Sequence, residues 1–148
     1  MFATRNPAQT YARIGIETSV GSATPHQLIL MLYDGAILEI GKARFALKNK
    51  DFAEKGRAIT HALAIIQDGL QLSLDVKTGG VIGQNLNDLY GYMCNRLLIA
   101  NLKNEDEPLE EVGRLLGELK SAWAEIGNQP GGQQNAGSAQ QPRSQARA

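Results

Sequence analysis

One cysteine, no excess of either charge and no long apolar run: each of these shortages removes a class of explanation. Cys94 alone cannot build a disulfide framework or a cysteine-rich metal site, and a lone thiol fits a reducing compartment, with core packing as its expected use. Basic and acidic residues balance at 15 each over 148 residues, and the pI is near 6.7. The chain as a whole is therefore not drawn to phosphate backbones or anionic lipid heads, and no nucleic-acid partner is expected. No stretch approaches the roughly 18 uninterrupted apolar residues of a membrane span, so no membrane insertion is expected. The opening MFATRNPAQTYARIG has no apolar run ending in a small-residue cleavage site, which predicts a cytoplasmic protein.

The signatures of catalysis are missing too. His26 and His61 fall on separate predicted helices, and Ala23 and Ala58 stand three residues before them, where a carboxylate-bridged metal bundle needs glutamate. There is no phosphate-loop motif and no nucleophile elbow. The Gly79-Gly80 pair follows a helical pattern rather than a strand, lacks a lysine in the next turn, and reads as a turn. The sequence predicts no enzyme, no metal and no cofactor, with both histidines at the surface or in packing.

What is present is helical. Thr24 can cap a first helix, with Pro25 at its first position and Gln27 placed to complete a capping box, and the pattern runs to about Lys48. Asp51 and Glu54 open a second helix, whose stripe of Ile59, Leu63, Ile66, Leu70 and Leu74 is expected to end at Gly79-Gly80. A third carries Ile82, Leu86, Leu89, Met93, Leu97 and Ala100 at three or four residue steps, and breaks at Asn104 to Asp106. A fourth, with Pro108 in its first turn, buries Leu109, Val112, Leu116, Leu119, Trp123 and Ile126 and stops at Gly127. Short connections leave no length for crossovers, so the prediction is all-α: an antiparallel up-down four-helix bundle over residues 21–126. Residues 1–20, with Tyr11, Ile14 and Ile16, form a short N-terminal helical cap, read either as a permanent strap or as a displaceable one. Residues 127–148 hold no large apolar or acidic side chain and are expected to be a disordered polar tail.

The feature that calls for a function is the run Leu28 to Tyr33, six apolar residues in succession. At 100° per residue they point all round the helix, more than one buried stripe requires. Leu28 and Leu32 are predicted to face inward, leaving Ile29, Met31 and Tyr33 as candidates for an exposed groove. A bundle core could still absorb several of the six, and without further information that is the commoner outcome. Asp34 could bond a partner, although a solvated charge is commoner; Asn85 shares this ambiguity. Tyr90 and Tyr92 can bury their rings beside a groove and keep their hydroxyls wet, or form the bundle rim.

The motif TPHQLILMLYDG at Thr24 to Gly35, the GG turn, NLNDLY at Asn85 to Tyr90 and AWAEI around Trp123 together resemble the flagellin export chaperone family, FliS, over about residues 8 to 126. THALAII in the second helix and the polar tail depart from the family pattern. The resemblance implies a cytosolic chaperone, without ATP hydrolysis, that binds the C-terminal helical region of flagellin. It would prevent premature polymerisation and deliver its client to the cytoplasmic domain of the flagellar type III export gate. It also implies a binding groove drawn from Ile29, Leu30, Met31, Tyr33, Asp34, Asn85, Leu89, Tyr90 and Met93, with Tyr11, Ile14 and Ile16 as a cap that occupies the groove when flagellin is absent. The chain is expected as a monomer or weak homodimer. The competing reading is a structural or adaptor bundle that uses the same apolar surplus to self-associate.

Overall fold

A computed structural model describes residues 23–128, leaving out the side chains of residues 76–78 and 128. The predicted cap residues Tyr11, Ile14 and Ile16, and the tail beyond residue 128, lie outside the described residues. Four helical rods follow one another: α1 (Pro25–Lys48), α2 (Phe52–Ala64, running on through Ile65–Gln71), α3 (Val76–Lys103) and α4 (Glu107–Asn128). Among the described residues there is no strand.

The helix starts form where the side chains can satisfy the free amides. The Thr24 hydroxyl accepts from the Gln27 amide at 3.1 Å while the Gln27 side chain accepts from the Thr24 amide at 2.9 Å, a complete capping box ahead of Pro25. Asp51 accepts from the Glu54 amide at 3.2 Å and opens α2. Glu54 itself turns to Arg57, whose guanidinium holds its carboxyl below the usual range.

Two boundaries differ from the sequence-based expectation. Residues 65–71 form a π-helical turn instead of continuing the α stripe. The wider turn brings Ile65 and Ile66 both into the core, while Leu63 and Leu74 are only half-buried. Regular structure then breaks at residues 74 and 75, and α3 begins at Val76, ahead of the glycine pair. Gly80, at φ 62° and ψ −141°, interrupts α3 rather than ending α2, a backbone shape that glycine tolerates far better than other residues.

Every neighbouring pair runs antiparallel. Arg44 at the end of α1 meets Asp106 just before α4, and His26 at the start of α1 meets Trp123 near the end of α4. Lys55 early in α2 meets Asn101 late in α3, while Gln71 meets Asn87. Arg96 of α3 meets Glu107 and Glu111 of α4. The bundle is thus up-down-up-down, with α1 and α3 on one diagonal. Its core runs from Leu32, Ala36 and Ile40 of α1 through Ile59 and Ile66 of α2 and Met93 and Leu97 of α3 to Leu109, Val112 and Leu116 of α4. Cys94 is buried in it, and burial pushes its thiol up.

Candidate functional site

The apolar stripes of α3 and α4 continue past the point where the bundle closes over them. On α3 the stripe is fully covered at Met93, Leu97 and Ala100, half-covered at Leu86 and Leu89, and 72% exposed at Ile82. On α4 it is covered at Leu109, Val112 and Leu116, half-covered at Leu119 and Trp123, and 42% exposed at Ile126. The antiparallel pairing puts the start of α3 and the end of α4 at the same end of the bundle, together with the start of α1, where Ile29 is half-buried against the core. The uncovered ends of the two stripes therefore lie at the same end of the bundle, the apolar opening of α3 and α4.

A clasp of His26 and Trp123 holds α4 to α1 at this end. His26 donates from Nε2 to the Trp123 carbonyl at 2.6 Å, and the Trp123 indole donates to the His26 carbonyl at 3.0 Å. The two rings stack at 5.1 Å between centroids, 11° from parallel. Gly127 lies against the same imidazole, and a Cβ there would run into it. Trp123, expected in the core, is therefore a half-buried clasp at the rim.

The predicted site residues divide three ways. Tyr33, Tyr90 and Met93 are corrections: they belong to the core instead of an exposed groove, with Tyr33 4% and Tyr90 3% exposed and Met93 fully covered. The reason is the diagonal, for the hydroxyls of Tyr33 on α1 and Tyr90 on α3 meet at 2.7 Å across the bundle interior. A mutual hydrogen bond lets both phenols be buried, and burial pushes the pKa of both above the ordinary phenol value. Ile29, Leu30, Met31 and Leu89 are half-buried, each with part of its apolar surface open. Asp34 and Asn85 are exposed, but Asp34 is engaged by Lys120 of α4 at 2.6 Å.

The helical stripes predicted from the sequence hold Ile82, Leu86, Leu119 and Ile126 without marking their open surface, which is large at Ile82 and Ile126 and partial at Leu86 and Leu119. A signal was available: Ile82 stands two residues after the glycine pair and Ile126 precedes Gly127, and the end turns of helices have fewer neighbours to cover them. Leu98 and Leu102, both exposed on α3, were missed as well. No group of three or more histidine, cysteine, aspartate or glutamate side chains among the described residues could hold a metal, and no helix there is long and apolar enough to cross a membrane.

Comparison with known proteins gives this geometry a context. Residues 7–130 match the profile of the flagellar protein FliS. The chain is 45% identical over 123 residues to the flagellar secretion chaperone FliS of Salmonella typhimurium, covering 83% of this chain and 91% of that protein. It is 42% identical to the flagellar secretion chaperone FliSB of Pseudomonas aeruginosa over 76% of this chain and 89% of that one. With FliS of Bacillus subtilis the identity is 33%, over 82% and 86% of the two chains.

Proposed function

The chain belongs to the FliS family, and from that premise we propose that it is a flagellar secretion chaperone that binds the C-terminal helical region of flagellin in the cytosol. It keeps this region from polymerising and presents it to the cytoplasmic domain of the type III export gate. The supporting observation is the opening of α3 and α4, where Ile82 and Ile126 lie uncovered at the ends of stripes that pass through half-covered residues into the core.

An amphipathic client helix laid there would extend the core outward, its apolar face meeting Leu86, Leu89, Leu119 and Ile29 as a further helix of the bundle would. Leu30 and Met31 offer a second open edge on α1, and methionine adapts to varied client side chains. Asp34 and Asn85 supply polar rim contacts. Tyr33, Tyr90 and Met93 act from behind, as the floor that holds the opening in shape.

Coupled folding of a client buries on the order of 1,000 to 3,000 Å², of which the apolar part contributes about 25 cal/mol per Å². Most of that gain offsets the ordering of the client chain, so the client is held without being locked into a globular fold. Tyr11, Ile14 and Ile16 would occupy the same opening when it is empty, lowering the apparent affinity by competition. The chaperone works as a monomer or weak homodimer, and no step in this reading calls for catalysis.

The test is a calorimetric titration with a peptide spanning the flagellin C-terminal region, with circular dichroism of the mixture. Stoichiometric binding with added helicity and a strongly negative heat-capacity change is expected, and Ile82→Asp or Leu86→Asp should weaken it about tenfold or more. Absence of binding, together with a particle size that grows with concentration, would replace this reading by self-association.

A further inference from the structure

The outer face of α1 carries a second pattern, which continues beyond Met31 toward the end of the bundle opposite the opening. Leu38 is 58% and Phe45 is 70% exposed, seven residues apart on the side of the helix opposite the buried Ala36, Ile40 and Ala43. Between them Gly41 leaves the helix surface bare, since nothing lies within 4 Å of where a Cβ would stand. Lys42 and Lys48 lie three residues before and after Phe45, hence about 60° to either side of it on the helix surface. The stretch from residue 42 to residue 57 holds six basic residues against two acidic ones, and of the six only Lys55 is buried. Among the described residues no ion pair engages Lys48 or Lys50, and Lys42 only reaches Glu39 at 4.0 Å.

We propose that this face docks a protein segment, an amphipathic helix whose apolar stripe is flanked by aspartate or glutamate. Leu38 and Phe45 are the anchors, Gly41 lets the partner's backbone come close, and the lysines on both flanks fix its register by charge. A second copy of the chain fits poorly. The acidic outer face of α4, with Glu110, Glu118 and Glu125, has Arg114 and Ser121 where apolar anchors would be needed. A lipid surface fits poorly too, because two apolar side chains are few for an interfacial helix.

The probe is a synthetic amphipathic helix of about 18 residues with a leucine stripe and glutamate on both flanks, paired with the same peptide carrying lysine on the flanks. Amide NMR shifts of the full chain report where each binds. The glutamate peptide should perturb Leu38, Gly41 and Phe45, bind more weakly as salt is raised, and lose about tenfold or more in affinity in Leu38→Ser/Phe45→Ser. The lysine peptide should leave these residues unmoved. Equal binding of both peptides, no binding, or shifts confined to Ile82, Leu86 and Leu119 would overturn the proposal. So would two other results: binding of phosphatidylglycerol vesicles in place of the peptide, or a concentration-dependent dimer abolished by the double substitution. The flagellin peptide provides the separating control: it should bind the double variant as it binds the parent chain. Loss of flagellin binding there would make α1's outer face part of the client site and end the claim of a second one.

Discussion

The two ends of the bundle are built differently. At the end where α1 turns into α2 and α3 into α4, polar pins tie all four helices together. The buried Lys55 ammonium donates to the Asn101 carbonyl at 2.9 Å and to the Asn104 side chain at 2.6 Å. Arg44 grips Asp106 with two hydrogen bonds, and Arg96 spans Glu107 and Glu111. The apolar stripes are fully covered here. At the other end His26 and Trp123 clasp α1 to α4, and the stripes of α3 and α4 run out into the open. Along the core-facing stripes of α3 and α4, burial is thus completed at one end and left unfinished at the other, while the apolar side chains exposed at the pinned end, Phe45, Phe52, Leu98 and Leu102, lie off those stripes.

The largest test of this contrast is in the core itself. Leu97→Ala, at a fully covered position, is expected to cost about 2 to 5 kcal/mol in urea unfolding. Leu86→Ala, on the same helix but half-covered, should cost at most about half as much while weakening the flagellin peptide. Equal stability losses would erase the distinction between the ends. Next, Lys55→Met leaves the Asn101 carbonyl and the Asn104 side-chain oxygen without their donor in a partly buried setting, and should cost about 1 to 3 kcal/mol.

Gly127→Ala sharpens the other side of the comparison. It forces His26 aside, and because Trp123 is the only tryptophan its fluorescence reports the loosened clasp directly. Global stability should fall by about 1 kcal/mol or less, because few contacts depend on this end. Unchanged emission would mean that the clasp is not held as described.

The smallest expected effect is that of pH. A hydrogen bond from Arg44 holds the Asp106 carboxyl below its ordinary 3.8, and hydrogen bonds from Tyr92 and then Arg96 hold Glu111 below its ordinary 4.5. Carboxyls depressed in the folded state add stability above their ordinary values and lose it as the pH falls through their folded values. Urea midpoints should therefore be flat above about pH 5 and decline below about pH 4.5. Hydrogen exchange should quicken first at the pinned end. Solvent screening keeps each contribution small, because these pairs lie near the surface.

Much of the fold was legible in the chain because helix signals are local. Thr24 with Gln27, Asp51 ahead of α2 and Pro108 in the first turn of α4 each act within one turn, and each stands where its chemistry required. The site was less legible. Leu28–Tyr33 carries more apolar residues than one stripe requires, but α2, α4 and the diagonal contact with Tyr90 absorb much of the surplus. LLIANL at Leu97–Leu102 also exceeds one stripe, and there Leu98 and Leu102 are exposed. Apolar segments differ in fate because helices differ in how many neighbours surround them, and a neighbour distant in sequence leaves no local mark.

By itself, the sequence determined the helices, their order and their alternating direction, since caps and short connections constrain the chain over distances of a few residues. It also carried the family motif, because that motif is a contiguous string. Only the tertiary structure decided which apolar residues close a core and which remain open. That choice placed Tyr33 opposite Tyr90 in the interior, left Ile82 and Ile126 uncovered, and set Leu38 and Phe45 among lysines on an outer face. Burial belongs to the assembled set of helices, and no single stripe contains the information about what will lie across from it.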